Sequence, residues 1–334
     1  MIKLVHNEMI KYFYRFGTIV MSAIILGLIL LNLFLTNSFG YSDDLLEHSY
    51  DAKTWKTEVK KDITDIQKKL ADIQGKHKEK ADDVKKFQKQ QAYQNRLEML
   101  NQYLKKDIQP PSNKHFFGAM SEVGGFIGLS LIMVVVITSA MMSREFQQGT
   151  IKLLLIRPKS RTAIFISKWI AAVCIAFLFT LITYVLKAAV ALFTTKMDPT
   201  NQFVYQMMGE HKVKAVSFWP FLGQLFINDF ILMAIFATIA FVLSVILRNT
   251  ALSLGITLGL QFFSQLIVSF ISAKTNLVKY IWPANWNLNQ YVELASVKPD
   301  DDMTLMYSSI YNVIAIIIII VIGLVIFNKR DVAN

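Results

Sequence analysis

Between Met142 and Arg161 a charged stretch interrupts two long uncharged runs. Its residue types suit ion pairing and surface contact rather than bond making. Glu145 offers a carboxylate among Arg144, Arg157 and Arg161, with which it is expected to pair. Gly149, Thr150, Ile151, Lys152, Leu153 and Leu154 read as a short amphipathic element whose leucines can fill a partner's groove. Arg157-Pro158 breaks that element, because the residue before a proline disfavours the α region. Ser160 or Thr162 can cap the helix that follows Arg161. A plain basic loop beside the membrane accounts for the same residues equally well.

Two further charges stand inside apolar sequence. Asp229 lies deep in the stretch Ala215–Leu247, and Lys187 lies near the end of the run that starts at Trp169. An ionisable residue within a span is a functional candidate by default. Asp229 either pairs with Lys187 or faces a water-filled path. Catalytic signals are missing from the sequence. It carries no G-x-x-x-x-G-K-[ST] phosphate loop, and His6, His48, His77, His115 and His211 are scattered. Cys174 is the single cysteine. No catalytic residue, metal site or cofactor of its own is expected of this chain.

The elements that position these residues are legible from hydropathy. Of 334 residues, 54% are hydrophobic. Phe16–Leu35, Val123–Met142, Trp169–Leu186, Phe230–Leu247, Asn249–Ala273 and Met303–Asn328 hold no Asp, Glu, Lys or Arg. About 20 residues cross a bilayer core as a helix, and backbone groups in lipid must be satisfied internally. The fold class is therefore an all-α polytopic membrane protein with six spans. They are placed at 16–36, 116–143, 164–194, 218–247, 249–273 and 303–328. The first run is expected to stay as a span rather than be cleaved.

Charge sets the orientation. With both termini inside, the inner segments 1–15, 144–163 with Lys168, Arg248 and 329–334 hold 12 basic residues against Glu8, Glu145 and Asp331. That asymmetry is what the positive-inside rule asks of short loops. The net charge of +11 thus reflects topology and contact with anionic lipid, not nucleic-acid binding. The expected location is a cell membrane, with both termini cytoplasmic.

Between the spans, Ile2, Val5, Met9 and Tyr12 recur at helical spacing, so residues 1–15 read as an amphipathic helix on the inner interface. Residues 37–115 are polar. Trp55, Val59, Ile63, Ile66, Leu70 and Ile73 form one apolar seam, and Tyr93, Leu97, Leu100 and Leu104 another, with Val84 and Phe87 upstream. Such a/d seams predict an antiparallel coiled-coil hairpin outside the membrane, turning near Gly75 and ending at Pro110-Pro111. Residues 195–217 read as an outer loop, and 274–302, with Trp282, Pro283 and Trp286, as a re-entrant or interfacial segment.

On Glu145, Gly149, Thr150, Lys152, Leu154, Pro158, Ser160 and Arg161 the chain resembles the ABC-2-type permeases. Those carry a segment similar to E-x-x-x-G-T-x-K-x-L-L-x-x-P-x-S-R after their second span. The span count, the turn after Leu243–Arg248 and the ending Phe327–Asp331 fit as well. The resemblance implies a permease subunit of a bacterial ABC exporter. Glu145, Gly149, Thr150, Lys152, Leu153, Leu154, Arg157, Pro158 and Arg161 would then contact a separate cytoplasmic ATPase subunit, which binds the ATP and Mg. A second permease subunit, identical or different, would complete the pore. The substrate would be a peptide, an antibiotic or another amphipathic molecule. Residues 37–115 depart from the family, whose first outer loop is usually short. That departure leaves open a mechanotransmission protein that works an extracellular partner through the hairpin. A secondary transporter is disfavoured, since no internal repeat is visible.

Overall fold

The computed structural model describes residues 2–13, 16–39, 50, 53–75, 83–107, 109–110, 116–121, 124–151, 160–195, 203–207, 213–272, 275–292, 299–300 and 302–329. Apolar sequence without helix breakers forms long helices here, because each satisfies its own backbone. In chain order they are α1 (Ile2–Phe13), α2 (Phe16–Phe39), α3 (Trp55–Gly75), α4 (Asp83–Lys106), α5 (Phe116–Ser121), α6 (Gly124–Gln147), α7 (Arg161–Thr194), α8 (Phe218–Leu247), α9 (Thr250–Ser272) and α10 (Leu305–Lys329). Three short 3₁₀ helices, Asn276–Tyr280, Trp282–Asn285 and Leu288–Tyr291, lie between α9 and α10.

Among the described residues, five helical stretches are long and apolar enough to cross a membrane: Phe116–Gln147, Arg161–Thr194, Phe218–Leu247, Thr250–Ser272 and Leu305–Lys329. The pair Lys3–Tyr12 and Phe16–Asn32, bent by 64°, makes a sixth if it counts as one span. At that bend the Thr18 hydroxyl donates to the Tyr12 carbonyl at 2.5 Å. The chain is a helical membrane protein.

The expected outer loop over 195–217 holds a strand pair. Phe203–Met207 (β1) and Val213–Ser217 (β2) pair antiparallel, Phe203 opposite Ser217 and Met207 opposite Val213. Their valines and tyrosine favour extended backbone, and Ser217 leads straight into α8.

Helix α8 is the axis of the bundle. Phe221, Leu225, Met233, Phe236, Ala237 and Phe241 are all buried along it, as expected of a helix apolar all round. α6, α7, α9 and α10 pack against it. Gly323 of α10 permits one close approach: a Cβ there would lie 3.0 Å from Val242 Cγ1 and 3.1 Å from Phe165 Cζ. The opposite faces of α9 and α10 stay open, with Phe263, Phe270, Ile317 and Val321 exposed. Apolar faces of this kind suit lipid or a neighbouring helix.

Away from the bundle, α3 and α4 share their own small core of Trp55, Val59, Ile66, Tyr93 and Leu100. Lys56 bonds Asp107 at 2.5 Å and Lys69 lies over the Tyr93 ring. The expected turn at 76–77 and the side chains of Ile73, Val84 and Phe87 fall outside the described residues. Burial holds the Tyr50 phenol well above its usual range, and its hydroxyl donates to Asp62 at 2.8 Å.

Candidate functional site

The charged stretch after α6 is reached from three helices. Lys168, two turns into α7, is 1% exposed. Its Nζ donates to Glu145 Oε1 at 2.7 Å and lies 2.9 Å from Glu8 Oε1 on α1. Lys11, one turn on from Glu8, donates to the same Glu145 oxygen at 2.9 Å. Buried charges are tolerable only when paired and hydrogen-bonded, and here two ammoniums meet two carboxylates. Amphipathic α1 makes this possible. Val5 and Met9 pack on the core, Tyr12 is buried and its hydroxyl donates to the Met141 carbonyl at 3.4 Å. Lys3 and His6 remain exposed.

Among the described residues the partners of Glu145 are lysines rather than the expected Arg144 or Arg161, and Arg157 falls outside those residues. The reason is depth: Glu145 faces the bundle, where a lysine stem from the buried side of α7 can reach it. Arg161 instead donates to the Asn328 carbonyl at 3.4 Å, tying the start of α7 to the end of α10.

Local chemistry then ends α6. Gln148 N–H donates to the Arg144 carbonyl at 2.8 Å, Gly149 N–H to Phe146 at 3.2 Å, and Gly149 takes φ +68°. Glycine occupies that left-handed region without a Cβ penalty, as helix ends often require. The Thr150 hydroxyl donates back to the Glu145 carbonyl at 3.4 Å. Ser160 is the cap of α7, its Oγ accepting from Ala163 N–H at 3.2 Å. Lys152, Leu153, Leu154, Arg157 and Pro158 lie outside the described residues. The short turn between α8 and α9 joins the same end. Arg248 takes φ 52° and stacks 4.8 Å over the Phe146 ring, and Thr250 shares a 2.6 Å hydrogen bond with Ser143. Lys168, Lys11 and Glu8 entered the sequence reading only as topology charges, and nothing in sequence order placed them beside Glu145.

A second polar site lies toward the other end of the bundle. Asp229 is 2% exposed. Its Oδ2 accepts from the Tyr184 hydroxyl and its Oδ1 from Asn289 Nδ2, both at 2.7 Å. Tyr184 stands one turn before Lys187 on α7, and the Lys187 ammonium lies 4.8 Å over the Phe126 ring. Asn289 comes from the third 3₁₀ helix, Leu288–Tyr291, which therefore lies at the level of Asp229. Hydrogen bonds pin the 3₁₀ segment in place. Asn285 Nδ2 donates to the Lys279 and Ile281 carbonyls at 3.0 Å, Ser308 to Asn285 Oδ1 at 2.6 Å, and Trp282 Nε1 to Asn312 at 2.9 Å. These side chains satisfy non-helical backbone away from water. Beside Asp229 opens a cavity of about 270 Å³ between α6, α8, α9 and the 3₁₀ segment. Among the described residues no group of His, Cys, Asp and Glu is arranged to hold a metal.

Residues 88–333 match a family model described as "Protein of unknown function (DUF2705)". The chain belongs to this family. The family match opens within α4 and takes in Glu145, Lys168 and Asp229, while α1 precedes it. The chain is 28% identical over 336 residues to "Uncharacterized protein YhcI" of Bacillus subtilis strain 168, with 100% of both chains covered. It is also 26% identical over 226 residues to "Uncharacterized membrane protein YdbK" of the same strain, covering 67% of this chain and 87% of that one.

Proposed function

We propose that this chain is the membrane permease subunit of an ATP-driven exporter of the ABC-2 type, lying in a bacterial cell membrane with both termini in the cytoplasm. One observation carries the reading. At the foot of the Gly149–Arg161 segment the Glu145–Lys168–Glu8–Lys11 cluster, with Glu145 and Lys168 buried, ties α6, α7 and α1 together. A push on that segment by a separate ATPase subunit, which holds ATP and Mg, would move three helices as one. Such a push does work only if the ATPase prefers one of two membrane conformations. The open apolar faces of α9 and α10 leave room for a second permease subunit, and the substrate is a peptide, an antibiotic or another amphipathic molecule.

The test is capture from membranes. Tagged protein should bring down an ATP-hydrolysing subunit, and Leu153→Glu with Leu154→Glu should release it while the permease stays folded. Capture of no such subunit sinks the reading.

A second reading is supported by the separate core shared by α3 and α4. In it, the membrane part works that helix pair outside the cell to control a partner, and nothing is transported. Deleting residues 53–107 would then abolish the phenotype, whereas an exporter would keep ATPase binding and substrate movement.

A further inference from the structure

The cavity beside Asp229 has an unusual balance of hydrogen-bonding groups. Asp229, Gln261, Ser264, Gln265, Asn287 and Asn289 supply its polar wall. Leu131, Leu232 and Phe236 supply an apolar one. Asp229 stands eleven residues into α8, about 17 Å along the helix axis at 1.5 Å per residue. It is held by Tyr184 and by the Asn289 amide nitrogen. That contact commits the Asn289 donor and leaves its Oδ1 buried with no hydrogen-bond partner. Gln261 Oε1, from α9, is likewise buried and unsatisfied. A buried polar atom without a partner is costly and calls for a ligand or water. Residues bearing two orphaned carbonyl oxygens, a carboxylate and one orphaned donor, the Trp286 indole N–H, thus line one small chamber. Three of the four groups accept hydrogen bonds, and one of those is an acid.

We propose that this cavity is a binding site for a primary ammonium group carried on an apolar body. An ammonium brings three N–H donors and a positive charge, which answers the two orphaned oxygens and Asp229 together. The leucine and phenylalanine wall takes the apolar body, as in small-molecule sites that are mostly apolar with a few placed polar groups. A neutral alcohol brings one donor and no charge, and an anion would face Asp229 at close range. The assignment adds a substrate class to the exporter reading and rests on it only for the direction of movement. A peptide amino terminus and an aminolipid headgroup share this chemistry.

The full chain in phosphatidylglycerol nanodiscs, without any ATPase, should bind 2-phenylethylamine saturably. The alcohol 2-phenylethanol should bind at least about tenfold more weakly, the scale of a lost hydrogen bond to a charged group. Asp229→Asn and Gln261→Leu should each weaken the amine by a similar factor and leave the alcohol unchanged. Gln261 is only half-buried, so its variant keeps the test open should Asp229→Asn not fold. Displacement by phosphatidylethanolamine in the disc assigns an aminolipid, and displacement by a short apolar peptide amide assigns a peptide. No saturable binding, equal binding of amine and alcohol, or indifference to Gln261→Leu overturns the site. Amine binding with no captured ATPase would keep the site and remove the exporter reading; a captured ATPase with no amine binding would do the reverse.

Discussion

Lys168 Nζ lies 2.7 Å from Glu145 Oε1, joining the start of α7 to the end of α6 across 23 residues of sequence. Lys168 is the only ammonium that touches both carboxylates of the described cluster. Replacing it by methionine keeps the stem but leaves Glu8 and Glu145 to the half-exposed Lys11 alone. Breaking a buried pair in this way costs about 3–5 kcal/mol. Lys11→Ala, at an exposed position, should cost no more than about 1 kcal/mol. Melting of the two variants in detergent compares them directly, and equal losses would contradict the geometry.

Gly149→Ala should strain the end of α6. Among the described residues no atom lies within 4 Å of the Cβ that alanine would add, so the expected cost is conformational. A left-handed non-glycine residue costs about 1–2 kcal/mol, and asparagine tolerates the region better than alanine. Hydrogen exchange at Gln148–Ile151 should therefore accelerate in Gly149→Ala and much less in Gly149→Asn.

Gly323→Ala tests the approach of α10 to α8. Both γ carbons of Val242 lie within 3.1 Å of the added methyl, so any staggered turn of the valine keeps at least one of them in the way, and Phe165 closes the third side. Overpacking of this kind costs about 1–3 kcal/mol. Adding Val242→Ala should make the double variant less damaged than the sum of its singles, since contacting sites couple. A thermal double-mutant cycle measures that difference.

The 3₁₀ segment should respond to pH through Lys279 and Asp302. Lys279 donates to Asp302 at 2.7 Å, which holds the carboxyl below its usual value and raises the ammonium above its own. The carboxylate's contribution is thus full above its unfolded value of about 4 and is lost as pH falls through the lowered one. The lysine's contribution is full below about 10.5 and is lost as pH rises through the raised value. Proteolysis of residues 275–304 should speed up at the acid extreme in the native chain, and Asp302→Asn should flatten that response. Salt should weaken the pair, because it is exposed.

The spans were legible because lipid demands one thing of sequence, a long uncharged run, and Phe230–Leu247 or Met303–Asn328 answer it without ambiguity. The helix pair α3–α4 was legible for a related reason: Val59, Ile66, Tyr93 and Leu100 repeat at the period of a helix face, and all four are buried. Ion partners were not. Glu8, Glu145 and Lys168 come from three separate helices, and sequence order carries no distance between them. Charge counting also hid Lys168, since a lysine near a membrane edge satisfies the orientation rule whether it is solvated or buried. Asn289 meeting Asp229 was invisible for the same reason, as 60 residues separate them. The strands β1 and β2 were missed differently. Val204, Tyr205, Val213 and Val216 are strand formers, but five-residue strands are short enough to pass for loop beside spans of 23 residues or more.

Glu8, Lys11, Glu145 and Lys168, all ionised, sum to zero charge. A rigid displacement of that quartet through the transmembrane voltage does no electrical work, because the work scales with net charge. In the proposed coupling, the quartet itself therefore adds no voltage dependence to a stroke through α1, α6 and α7. Removing the Lys168 charge would leave one uncompensated negative charge and make the same stroke voltage-dependent.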